Sequence, residues 1–102
     1  GCRIGMNQLI DDVRLSLRLT SKSFDAEIQT LIDSAIFEMN EVGITFISSP
    51  KNKLEEKQAA LQRAAISTYV KANFGENKES EKYMKSFEIM KLKLRDIKNE
   101  IL

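Results

Sequence analysis

The sequence contains no histidine and no tryptophan, one cysteine, one proline and four glycines. Without imidazole and with a single thiol, a histidine-based triad, a Cys/His zinc site and an internal disulfide are excluded. No apolar run approaches the roughly 20 residues that span a bilayer. An excess of either charge is also missing: 16 Lys and Arg stand against 15 Asp and Glu in 102 residues. That balance excludes a strongly polyanion-seeking chain and a polybasic membrane tether. What is present is 42% hydrophobic and 30% charged residues, in a length that makes one domain with a real core. With few helix breakers, the expectation is a soluble, helical, intracellular protein that acts by contact rather than chemistry.

Gly1-Cys2-Arg3-Ile4-Gly5 precedes Met6 and lacks the long apolar centre of a signal peptide. It reads as an expression remnant ahead of a start at Met6, or else as a short native arm. As a remnant it takes Arg3 and Cys2 out of the count, so no redox argument is drawn from Cys2. The single domain is then residues 6–102.

Four helical segments follow. In the first, about Asn7 to Leu19, Leu9, Ile10, Val13 and Leu17 recur at helical spacing, with Asn7 as N-cap. Leu15 and Leu19 widen its apolar surface, so packing on more than one side is expected. Ser23 is the expected N-cap of the second, whose stripe is Phe24, Ile28, Leu31, Ile32, Ala35, Ile36 and Met39. Gly43 is positioned as its left-handed stop. Ile44 to Pro50 has no helical period and reads as an extended loop.

Asn52 and Glu55 resemble a capping box that opens the third segment, about Lys53 to Phe74, which Gly75 ends. Its expected face is Leu54, Leu61, Ala65, Thr68 or Tyr69, and Ala72, with Ile66, Val70 and Phe74 on a second side. Asn77 or Ser80 caps the fourth. There Tyr83, Phe87, Met90, Leu94, Ile97 and Ile101 form a heptad-type seam, and Ile89 and Leu92 fall off it. The architecture expected is all-α: a small bundle of three long helices and one short N-terminal helix, with an extended loop between helices two and three.

Catalytic, cofactor and metal residues are not expected. The adjacent carboxylates Asp11-Asp12 and Glu55-Glu56 lie in first turns, where the helix dipole favours them. The glycines Gly5, Gly43 and Gly75 are isolated and build no phosphate loop. The charges are unevenly placed, however. The second segment carries Asp25, Glu27, Asp33, Glu38 and Glu41 with no basic residue between them. The third carries Lys51, Lys53, Lys57, Arg63 and Lys71 against Glu55 and Glu56. These are either two solvated faces that complement each other within the chain, or an acidic face that meets the basic face of the next copy. Head-to-tail contacts of the second kind close into rings.

Lys91, Arg95 and Lys98 lie along one side of the fourth segment, as a solvated face or as a contact for phosphates. Ile44, Phe46 and Ile47 in the loop, and Ile97, Ile101 and Leu102 at the end, either close the bundle or pack on a partner.

The order of residues adds a further reading. Val13-Arg14-Leu15-Ser16-Leu17-Arg18-Leu19-Thr20 is followed by Phe24-Asp25-Ala26-Glu27-Ile28 and Leu31-Ile32-Asp33-Ser34-Ala35. Then come Ala65-Ile66, Tyr69-Val70-Lys71-Ala72-Asn73-Phe74-Gly75, and Tyr83, Phe87 and Leu94. This pattern resembles the small head–tail connector (adaptor, DNA-packaging) proteins of tailed phages and prophages, from Met6 to about Leu94.

The resemblance implies a non-enzymatic α-helical virion protein, present in the host bacterial cytoplasm during assembly. It implies a ring below the portal, typically of about a dozen identical copies. Such a ring extends the DNA channel without sequence-specific DNA binding, and it docks tail or stopper proteins. The loop from Ile44 to Pro50 and the far end at Ile97, Ile101 and Leu102 then match the portal or tail contacts. The polar Lys51-Asn52-Lys53 and the helix that continues to Leu102 depart from the family pattern. The rival readings are a small nucleic-acid-binding regulator, such as a small terminase-like DNA-packaging subunit, and an adaptor that binds one protein beside the fourth segment.

Overall fold

The computed structural model describes the backbone of residues 6–75 and 78–101 and the side chains of residues 9–75 and 78–96. Expectations for residues 1–5, for Asn77, and for the side chains of Ile97, Lys98, Ile101 and Leu102 lie outside that range. Four helices account for the regular structure, and no strand occurs among the described residues: α1 Met6–Ser16, α2 Asp25–Glu41, α3 Lys53–Asn73 and α4 Ser80–Ile101.

Helix α1 ends three residues before the apolar pattern does. Arg18 takes φ 60°, its N–H bonds the Leu15 carbonyl at 2.9 Å, and the Leu19 N–H bonds the Arg14 carbonyl at 3.1 Å. That is a Schellman stop made without glycine. It carries no glycine signal, which is why the periodicity runs past it. Asn7 lies inside α1 and is not its cap. Leu15, expected to pack, is 72% exposed.

Helix α2 begins at Asp25, with Phe24 as a cap that makes no side-chain bond. Ser23 does not cap it. The Ser23 and Ser21 hydroxyls are hydrogen-bonded to each other at 2.6 Å, and the Ser23 N–H donates to Ser21 Oγ at 3.1 Å. The Phe24 ring meets Phe74 edge-on at 5.4 Å, which joins the start of α2 to the end of α3. At the other end Gly43 takes φ 87°. The Ile44 N–H reaches the Met39 carbonyl at 2.9 Å and the Gly43 N–H the Asn40 carbonyl at 3.0 Å, a second Schellman motif.

Helix α3 opens as expected on Asn52, whose side chain accepts from the Glu55 N–H at 2.8 Å. The Glu55 carboxylate returns to the Lys51 N–H at 3.1 Å, one residue before the position a capping box predicts.

Leu9 and Val13 of α1, Ile28, Ile32, Ala35 and Met39 of α2, Ala65, Ile66 and Val70 of α3, and Phe87 and Leu94 of α4 form one core with Ile44. Each large side chain fully removed from water there is worth about 1.5–3 kcal/mol. Leu54, assigned to the α3 core face from sequence, is exposed. Helix α3 is the central element: it packs most extensively on α4, then on α2, and also touches α1. The molecule is flat, with extents of 40 × 32 × 18 Å. No described helix is long and apolar enough to cross a membrane.

Candidate assembly surfaces

The loop after α2 is held by one side chain. Gln62 of α3 is buried, its Oε1 accepts from the Ile47 N–H at 2.8 Å, and its Nε2 donates to the Thr45 carbonyl at 3.0 Å. The amide thus supplies the donor and acceptor that a neighbouring strand would offer to an extended segment. Ile44, Thr45 and Ile47, together with Gln58, Gln62 and Leu94, line a mostly apolar groove of about 190 Å³.

The three apolar loop residues therefore differ. Ile44 is 3% exposed. It occupies the position after Gly43 whose side chain folds back on the helix end in a Schellman motif, and it belongs to the core rather than to a contact surface. Phe46 and Ile47 are half-buried and keep accessible edges.

Two of the five acidic residues of α2 are ion-paired to other helices of the protomer. Arg14 donates from Nε to Asp25 Oδ1 at 3.0 Å and from Nη2 to Asp25 Oδ2 at 2.7 Å, while Nη1 bonds Asp11 at 2.8 Å. The hydrogen bond to Asp25, then that to Asp11, raises the guanidinium pKa further. This fork fixes the crossing of α1 on the first turn of α2.

Glu38 accepts from Lys91 of α4 at 3.2 Å, and Glu88 lies 3.1 Å from the same ammonium. The Lys91 Nζ also sits 5.1 Å from the centre of the Phe87 ring. Burial pulls the Lys91 pKa down, but hydrogen bonds to Glu88 and Glu38 outweigh it, and the net shift is upward. Lys91 is thus a buried tie between α2 and α4 and does not share a solvated face with Arg95, which is exposed.

Glu27, Asp33 and Glu41 remain on the outer side of α2, all exposed, with Gln29 donating to Asp33 at 2.8 Å. Phe37 stands among them at 63% exposure. On α3, Lys53 and Lys57 are exposed, and Arg63 and Lys71 are half-buried. On α4, Ile89 and Leu92 are exposed, as expected for residues off the seam.

Phe37, Gln62 and the Lys91–Glu38 tie were not singled out from sequence. Phe37 was detectable as the one large apolar residue of α2 outside the stripe. The other two depend on residues brought together over 15 or more positions. Among the described residues, no group of three or more His, Cys, Asp or Glu is placed to hold a metal ion.

The described residues form a small helical bundle with charged and apolar groups on its outer faces. The family model of the phage connector protein matches residues 9–100, and the chain belongs to that family. No curated protein and no solved structure matches it. The family is structural, and it links the chain with the other head and tail proteins of the phage particle.

Proposed function

We propose that this protein is a head–tail connector subunit that assembles as a ring of identical copies below the portal, extends the DNA channel and gives tail or stopper proteins a docking surface. The observation that supports the reading most is the family match over residues 9–100. Near-neutral net charge suits a lumen through which DNA slides, because many fixed cations would hold phosphates in place.

Subunit contact falls to the outer charges. Glu27, Asp33 and Glu41 of α2 face a basic surface of the next copy, for which Lys53, Lys57, Arg63 and Lys71 of α3 are the sequence-derived candidates. Asp25 and Glu38, tied to Arg14 and Lys91, set the shape of the α2 face. Portal or tail contact falls to Phe46 and Ile47 beside the groove, and to the C-terminal residues Ile97, Ile101 and Leu102.

Electron microscopy of the chain mixed with its cognate portal assembly tests this. A ring seated on the portal is expected. A portal that stays bare at high connector concentration overturns the reading.

A further inference from the structure

Gln62 takes the Ile47 N–H and the Thr45 carbonyl, which lie on one edge of the segment. In an extended chain the residue between them turns its own N–H and carbonyl to the opposite edge. Phe46 therefore presents both groups away from α3. The same alternation places the Ile44 carbonyl and the Ser48 N–H on that outer edge. Nothing among the described residues pairs with any of these groups. Thr45 and Ser48 are exposed and Phe46 and Ile47 half-buried, so the chain does not cover this segment itself.

The outer edge is its own complement. Along the chain it runs acceptor at Ile44, donor and acceptor at Phe46, donor at Ser48. A second edge of the same sequence, turned antiparallel about Phe46, meets it donor to acceptor throughout. The two Phe46 residues then form a hydrogen-bonded pair, with Cα atoms about 5.5 Å apart and both rings on one face, where aromatic cross-strand pairs add stability. The flanking charges select the same orientation. Before the segment stands exposed Glu41, on a helix with no Lys or Arg. Directly after it come exposed Lys51 and Lys53. Glu55 and Glu56 follow, but Glu55 is half-buried and turned back onto the Lys51 N–H, so of the two only Glu56 is exposed. Antiparallel pairing brings Glu41 of each copy toward Lys51 of the other, whereas parallel pairing sets like against like.

We propose that free copies of this chain pair two-fold through residues 44–48, edge to edge and antiparallel, with Phe46 opposite Phe46. The occupant is a second copy, because the hydrogen-bonding order, the aromatic ring and the flanking charges are each self-complementary. The contact is isologous and closes at two copies. The edge is short, so the pairing is weak and reversible. It goes beyond the connector reading and meets it at one place: the pair covers Phe46 and Ile47, which that reading gives to the portal or tail. Free copies thus hold those residues covered, and the portal releases them.

Sedimentation of the free full-length chain, carrying Cys2→Ser to remove the thiol, tests the pairing. The mass is expected to double from 11.6 kDa as concentration rises to about 0.1–1 mM. Over the same range the Phe46 amide is expected to exchange about threefold or more slowly by NMR, while the Ile47 amide, already bonded to Gln62, is unchanged. Phe46→Pro removes the donor and is expected to weaken pairing about tenfold or more. Lys51→Glu is expected to weaken it about threefold at low salt, and Glu41→Lys in the same chain to restore it, a rescue that a folding defect does not show.

A chain that stays monomeric at about 1 mM overturns the pairing. A dimer whose Phe46 amide exchanges as fast as in dilute solution overturns it in favour of another face. With the portal assembly added, loss of the dimer is expected. Portal-bound chains that remain paired through Phe46 overturn the release and leave the connector reading standing. A portal that stays bare counts against the connector reading alone, and the pairing of the free chain stands or falls on its sedimentation.

Discussion

The Ile47 N–H donates to Gln62 Oε1 at 2.8 Å, so a helix side chain stands where a strand partner would stand. The same amide takes up the Thr45 carbonyl at 3.0 Å. Residues 45–47 are therefore placed by α3 rather than by their own conformational preference, and the edges of Phe46 and Ile47 are presented from a fixed backbone.

Replacing Gln62 by Leu keeps the volume but leaves two partly buried backbone groups unpaired. The expected loss is about 1–3 kcal/mol. Amide exchange at Ile47 should accelerate by more than that at Val70 in the core. Gln62→Glu retains an acceptor for Ile47 but turns a carboxylate toward the Thr45 carbonyl. It is expected to destabilise at neutral pH and to recover in part on protonation. Hydrogen exchange followed by NMR reads both effects.

Ile44 and Ile47 should separate cleanly. Ile44→Ala empties a core position and is expected to cost about 2–4 kcal/mol in urea unfolding of the free chain. Ile47→Ala, at a half-buried position, should cost about 1 kcal/mol or less. Its larger effect is expected on portal binding.

Lys91 tests the tie between α2 and α4. Lys91→Met replaces a desolvated cation with an apolar side chain of similar length and should change stability by no more than about 1 kcal/mol. Lys91→Glu places a third carboxylate beside Glu38 and Glu88 and should cost about 3 kcal/mol or more. The folded-state pKa of Lys91 is raised above its ordinary 10.5. Its contribution is therefore fully present below pH 10.5 and is lost only as pH rises through the raised value. Wild-type stability should show no transition from this group between pH 6 and 9, and the alkaline loss should vanish in Lys91→Met.

Arg18→Gly should stabilise the chain. A left-handed φ of 60° costs an L-residue about 1 kcal/mol relative to glycine at a helix stop. The gain corresponds to a rise of about 4–8 °C in Tm, measured calorimetrically. It should leave portal binding unchanged.

The periodic parts of the fold were readable in the residues themselves. Ile28, Ile32, Ala35 and Met39 repeat at helical spacing and are buried; Gly43 and Gly75 adopt positive φ; Asn52 caps α3. What escaped was conformation with no local marker. The Arg18 stop uses an arginine where glycine is usual, so Leu19 still appeared to extend the helix. Ser21 captured Ser23 and deprived α2 of its expected cap.

On the candidate surfaces, the acidic character of α2 was plain from its composition. The engagement of Asp25 by Arg14 and of Glu38 by Lys91 was not, since each needs two helices in place. Lys91 looked like one of three surface cations because helical spacing alone does not show which neighbour covers a residue.

The mass of the portal-bound assembly, measured by native mass spectrometry, tests the account most directly. The added mass is predicted to be a fixed multiple of the 11.6 kDa chain, one copy for each repeat of a closed ring. A portal that takes up a single copy, or none, at saturating connector would contradict it.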